Sequence, residues 1–277
     1  MAVWFVTGAA RGIGHQVARE ALRRGHRVVA TGRDRTAVTA AFAGLAGEVL
    51  PLGLDVRRPE APAAAVERSM RRFGRIDVLV HDAVRTVRAP FAEMTEAQAR
   101  ALFDVNVFGL LAVVRAVLPV LAAQRTGRLV VVGSVAGFST PAGAGWYGAS
   151  MAAVEAVSEA LRAELAEAGI RVTVVELGRL RALPSDRGKG GDPVKGGAAI
   201  VDLLEAEDPP MRLHLGADAV AAVEAKLERV AQDLDAWRPV SLSTDAPHEP
   251  PTQNSQSDQN GWNGQNGWNG HRPPSVR

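Results

Sequence analysis

A three-layer α/β/α sandwich built on a doubly wound parallel sheet is the fold class that three observations predict. Short β-type apolar runs alternate with Ala-, Leu- and Arg-rich stretches of helical period along residues 1–240. The runs are apolar almost throughout rather than alternating, as strands covered on both faces are. A glycine-rich turn, Thr7-Gly8-Ala9-Ala10-Arg11-Gly12-Ile13-Gly14, joins the first strand to the first helix and makes the sandwich Rossmann-type.

The predicted strands are Val3–Val6, Val28–Ala30, Val49–Leu52, Val78–Val80, Leu129–Val132 and Val172–Val175, each followed by a segment of helical spacing. Residues 179–198 are basic and glycine-rich and read as a loop bordering a site. Ala217–Trp237 reads as an amphipathic helix near the end of the domain. Residues 241–277 turn polar, and Gln259–Gly264 repeats at once as Gln265–Gly270, so this tail is expected to be low-complexity and disordered.

At 277 residues and 47% hydrophobic, the chain is long enough for one large core. Lys+Arg number 32 against 30 Asp+Glu, a net charge of +2 with the arginines dispersed, so no nucleic-acid partner is expected. The absence of cysteine excludes disulfides and thiolate chemistry and fits a cytoplasmic location. Met1 leads directly into an apolar strand, without the basic start of a signal peptide. No unbroken apolar run reaches membrane-spanning length, and no metal-ligand spacing is present among the histidines.

The glycine turn is the first candidate site. Gly8, Gly12 and Gly14 let backbone approach a pyrophosphate at a helix N-terminus, where free N–H groups and the helix dipole favour anions. The second strand ends Gly32-Arg33-Asp34, with no acid where a ribose diol would be held. Arg33 and Arg11 can instead clamp a 2′-phosphate, which points to NADP(H). Asp34 is one residue out of register and is expected to face solvent.

Tyr147 is the chain's single tyrosine. Tyr147-Gly148-Ala149-Ser150-Met151 resembles the Tyr-x-x-x-Lys motif of the short-chain dehydrogenase/reductase family, with methionine in place of lysine. Ser134, in Gly133-Ser134-Val135-Ala136-Gly137, precedes Tyr147 by the family's spacing, and Asn106 lies in a segment like the family's asparagine helix. Leu54-Asp55-Val56 resembles its adenine contact. The resemblance covers about residues 3–240 and implies the fold above. It also implies a nicotinamide cofactor held by Thr7, Gly8, Arg11, Gly12, Ile13, Gly14, Arg33, Asp55 and Val56. In the catalytic roles it implies, Ser134 holds a carbonyl oxygen, Tyr147 passes the proton and Asn106 anchors a water.

The departures cluster at the nicotinamide end. His81-Asp82-Ala83-Val84 stands for Asn-Asn-Ala-Gly, and Ala182 for a threonine that would contact the carboxamide. A phenol titrates near 10 unless a cation lowers it, so a tyrosine without its lysine is a poor base but a competent proton donor. His81 is a candidate replacement acid/base group at a strand's C-terminal end. Arg85, Arg179 and Arg181, with Met151, are candidate pocket residues.

Three readings follow. The foremost is a non-redox acid/base catalyst of small-molecule metabolism (a cyclase, isomerase or dehydratase) that retains NADP(H) as a structural element. The second is an NADPH-dependent carbonyl reductase with an atypical site. The third is a non-catalytic binding protein. The resemblance also implies a homo-oligomer, a dimer or tetramer, through helices around Ala97–Ala123 and Ser150–Ala166.

Overall fold

The structure, a computed structural model, describes residues 1–180 and 190–245. Arg181, Ala182 and the repeat tail therefore lie outside the described residues. Two compact units divide the chain, Met1–Arg229 and Val230–Arg277. Every described residue from Leu227 onward is exposed and adds nothing to a core.

The first unit contains a seven-stranded parallel sheet of order β3-β2-β1-β4-β5-β6-β7. Its strands are β1 (Val3–Val6), β2 (Arg27–Gly32), β3 (Val49–Gly53), β4 (Val78–His81), β5 (Gly127–Ser134), β6 (Ile170–Leu177) and β7 (Arg212–Leu215). Strand order reverses between β1 and β4, and a crevice for a ligand opens at the C-terminal ends of strands at such a switch. Thr7 and His81 stand at those two ends.

The helices are α1 (Gly12–Arg23), α2 (Arg35–Ala41), α3 (Ala61–Phe73), α4 (Glu96–Phe103), α5 (Gly109–Gln124), α6 (Gly145–Leu165), α7 (Pro193–Glu205) and α8 (Ala217–Leu242). Strand side chains alternate between the two faces. Phe5, Val29, Leu79 and Leu129 pack with residues of α3, α5 and α6; Trp4, Val28, Val80 and Val130 pack with residues of α1, α2 and α7. The near-continuous apolar strands thus serve two cores. Thr95 starts α4 through a reciprocal cap, accepting from the Gln98 N–H while the Gln98 side chain accepts from Thr95.

Glu96–Gln124 runs through α4, a π-helical turn (Asp104–Phe108) and α5 with a mean hydropathy of 2.1 in its most apolar stretch. It is long and apolar enough to cross a membrane by length and composition, although Arg100, Asp104 and Arg115 interrupt it. Leu110, Val113, Val114, Val117 and Leu121 of that helix are buried in the sheet-facing core.

β7 was not among the expected strands. Arg212-Leu-His-Leu alternates charge with apolarity, and its polar side chains lie within ion-pair distance of a buried acid on β6. Glu176 is fully buried and lies opposite His214 in the sheet register. Arg212 Nε donates to Glu155 at 2.9 Å, Nη2 donates to Glu159 at 2.8 Å, and Glu176 lies 3.6 Å from Arg212 Nε. Burial pushes both inner carboxyls up, Glu155 to about 7, against the pull of Arg212. A raised carboxyl keeps its proton in the folded chain after the unfolded chain has lost it, so stability from this pair falls as pH rises from about 4.5 through 7. Arg212→Met is expected to cost about 2–3 kcal/mol at pH 8, below the figure for a fully buried pair because Arg212 is partly solvated, and less at pH 5. Urea denaturation at the two pH values measures this; equal losses would remove Arg212 as the counter-charge.

Candidate functional site

The crevice begins with the glycine turn. Gly8 and Gly12 both have φ of +68°, the left-handed region that L side chains rarely adopt. A Cβ on Gly8 would stand 2.4 Å from the Asp82 carbonyl oxygen, so this glycine is required by the protein's own packing. A Cβ on Gly12 would meet nothing within 4 Å. Gly12 is exposed and heads α1, so the second glycine keeps open space at a helix N-terminus. Arg11 supplies no side-chain cap to α1. The α1 end therefore has the form of a phosphate cradle.

Arg11 and Arg33 are both exposed, and neither has an ion-pair partner among the described residues. Asp34 faces solvent as expected and caps α2, accepting from the Thr36 N–H at 2.8 Å. Asp55 is held by Arg57, whose Nε and Nη2 donate to its carboxylate at 2.9 and 2.6 Å. The Arg57 hydrogen bonds bring the Asp55 carboxyl down to about 2, so it is anionic wherever a base amine could meet it. Val56 is buried against Gly109, and Ile13 is buried in α1. These residues fit the phosphate and adenine parts of a dinucleotide.

Thr7 ties β1 to β4. Its hydroxyl accepts from the Asp82 and Ala83 N–H groups at 2.9 and 3.1 Å and lies 3.3 Å from His81 Nδ1. His81 is 1% exposed and its Nε2 has no partner among the described residues. Burial pushes its pKa down to about 4, which keeps the ring neutral. The residue expected to act as an acid/base group is thus a buried strand-end histidine beside Thr7.

β5 and α6 bring the remaining polar groups together. Ser134 ends β5, where its hydroxyl oxygen accepts from the Ala136 N–H at 3.3 Å and donates to the Leu177 carbonyl at 3.4 Å. The following turn packs against the start of α6 through two glycines. A Cβ on Gly148 would lie 2.8 Å from the Ala136 carbonyl, and one on Gly137 2.9 Å from the Met151 Cβ. Tyr147 is buried in the second residue position after the start of α6, and its hydroxyl makes no hydrogen bond to a described residue. Beside it, Trp146 stacks on Phe91 with ring centroids 4.8 Å apart.

Asn106 occupies the π-helical turn between α4 and α5, a distortion often found at functional sites. Its Oδ1 accepts from the Arg85 N–H at 2.8 Å; its Nδ2 donates to the Arg85 carbonyl and to Ser150 Oγ, each at 3.0 Å. Ser150 in turn donates to the Tyr147 carbonyl at 2.7 Å. Ser150, which the sequence reading had not singled out, thus links Asn106 to the tyrosine's own helical turn. A small hydroxyl one residue before the missing lysine was its only sequence signal.

Met151 is 1% exposed and belongs to the core cluster of Ala136, Tyr147 and Val154. The residue expected to border the pocket is thus placed in the core cluster: a thioether has no charged head to draw it toward solvent. Arg85 and Arg179 are exposed at the crevice loops. The Arg179 backbone is held by Asp218 at the start of α8, whose Oδ2 accepts its N–H at 2.7 Å. Arg181 lies outside the described residues.

Comparison with known proteins gives the family of this fold. The family model for short chain dehydrogenases matches residues 2–183. An oxidoreductase of Botryotinia fuckeliana, BOA17, is 30% identical over 87% of this chain and 98% of its own length. A probable NADP-dependent dehydrogenase of Haemophilus influenzae is 32% identical over 62% of this chain and 69% of its own. A solved short-chain dehydrogenase from Streptomyces avermitilis superposes with a TM-score of 0.80 at 35% identity, covering 88% of this chain and 98% of that one. Glycine turn, switch-point crevice, Ser134 and Tyr147 thus coincide with a family match across most of the first unit, and the chain belongs to the short-chain dehydrogenase family.

Proposed function

We propose that this protein is an NADPH-dependent carbonyl reductase in which Tyr147 donates the proton without help from a lysine. One observation carries the reading: the head of α1 is open at Gly12 and flanked by two exposed arginines that have no ion-pair partner among the described residues, and the chain also keeps Tyr147, whose hydroxyl bonds to no described residue. The oxidoreductase names of the relatives support redox chemistry over the cyclase or isomerase reading that the lysine loss had favoured. NADPH, when bound, supplies the hydride. Arg11 and Arg33 hold the 2′-phosphate, the α1 N-terminus holds the pyrophosphate, and Asp55 accepts from the adenine amine. Ser134 orients the carbonyl oxygen and Tyr147 protonates it as hydride arrives. Asn106 serves as a positioning residue through its clamp on Arg85 and Ser150.

Calorimetric titration with NADPH, NADP+ and NADH, followed by a panel of ketones and aldehydes read by NADPH loss and product together, tests this. Binding that favours NADPH over NADH by about 10–100-fold and is lost in Arg33→Ala is expected, since charge-assisted hydrogen bonds contribute about 1.5–3 kcal/mol. Product formed without NADPH loss would favour the non-redox reading instead.

We further propose a homo-oligomer formed through the outer face of the α4–α5 segment, where Phe108 is 60% exposed. Light scattering is expected to give a dimer or tetramer, with Phe108→Glu shifting it toward monomer. A monomeric parent chain overturns this.

A further inference from the structure

Asp82 follows β4 and turns its carboxyl beneath the glycine turn. Its Oδ2 accepts the Gly14 N–H at 2.7 Å, and a Cβ on Gly14 would lie 2.8 Å from that oxygen. Its own N–H is fixed by Thr7 Oγ1. Part of the residue reaches solvent, yet the carboxyl is desolvated: burial pushes it up to about 8, opposed only by the Gly14 bond. No charged side chain among the described residues stabilises its ionised form. Next to it on β4 is His81, buried, with burial lowering its pKa to about 4; on α1, His15 has its Nδ1 3.2 Å from the Ala9 carbonyl and its ring against Phe42, and burial lowers its pKa.

A carboxylate and a pyrophosphate would thus draw on the same end of α1. Both depend on its first N–H groups and its dipole, and like charges sharing one site disfavour each other's ionised form. We propose that Asp82 makes dinucleotide binding proton-linked: its carboxyl stays neutral while the pyrophosphate is seated, and its ionised form weakens binding. This rests on the NADP(H) reading above.

The sign follows from linkage. Below about pH 8 the carboxyl is protonated in free and bound protein alike, and affinity does not depend on it. Above that pH the free protein loses the proton and binding must take one up, so Kd rises toward about tenfold per pH unit. Asp82→Asn keeps an oxygen for the Gly14 N–H and removes the charge.

The test is calorimetric titration of the full chain with NADP+ between pH 6.5 and 9.5, in buffers of different ionisation enthalpy. Parent, Asp82→Asn and Asp82→Ser proteins are compared, the last keeping the test available if the amide variant misfolds. Near-complete uptake of one proton by the parent at pH 9 is expected, with none by the variants. Asp82→Asn should bind about tenfold tighter than the parent at that pH. Identical pH dependence in all three overturns the role of Asp82 while leaving the cofactor reading intact. No binding by any of them at any pH, with no shift in melting temperature, overturns the cofactor reading and this proposal with it.

Discussion

Tyr147→Phe is expected to lower carbonyl reduction by roughly 10²–10⁴-fold while leaving the fold in place. The substitution removes one hydroxyl that bonds to no described residue. The ring remains in its cluster with Ala136, Met151 and Val154, so melting temperature should stay within a few degrees of the parent. Affinity for NADPH should be unchanged, because the cradle at α1 is built from other elements. A proton donor that acts only in the transition state should lower kcat and leave KM little altered. Steady-state kinetics with paired thermal melts measures all three quantities. Retention of more than about a third of the parent rate in a folded, NADPH-binding variant would remove Tyr147 from the chemistry. Ser134→Ala, which deletes an orienting group rather than the donor, is expected to cost less.

Much of this architecture was legible because its physics is local. Six strands announced themselves by apolar runs, and Thr7–Gly14 carried its own context of strand, turn and helix. Asp34 was placed correctly as a solvent-facing residue by counting register from the end of β2. What escaped depended on partners distant in sequence. β7 is polar in sequence, and only the buried Glu176 opposite explains why Arg212 and His214 belong in a sheet. Glu176 itself, an acid after two valines in β6, was the available hint. His81 read as a functional histidine from its position at a strand end, but position does not give depth: the same strand end carries it into the gap beneath Thr7, where its ring is neutral. Met151 was legible as a lost lysine, whereas its burial follows from how closely Gly137 lets the turn after β5 approach α6.

Gly8→Ala and Gly12→Ala should separate two reasons for a glycine that share one backbone angle. Both positions have φ of +68°, so each pays about 1–2 kcal/mol for placing an L residue in the left-handed region. At Gly12 nothing else is met, and the loss of stability should stop there. At Gly8 the new methyl falls 2.4 Å from the Asp82 carbonyl oxygen and 2.8 Å from its carbon, both backbone atoms that cannot rotate aside. Displacing them adds about 1–3 kcal/mol of overpacking and strains the Thr7 bonds that tie β1 to β4, for a total of about 2–5 kcal/mol. Binding should not follow stability. The Gly12 methyl enters open space where the proposed pyrophosphate would lie, so on that proposal Gly12→Ala should lose most NADP(H) affinity in a protein that is nearly as stable as the parent. Urea unfolding and calorimetry on both variants decide the matter. A Gly12→Ala protein that binds NADP(H) as well as the parent would mean that the open ground at the head of α1 is not where the pyrophosphate lies, and the cradle would have to be sought elsewhere along the crevice.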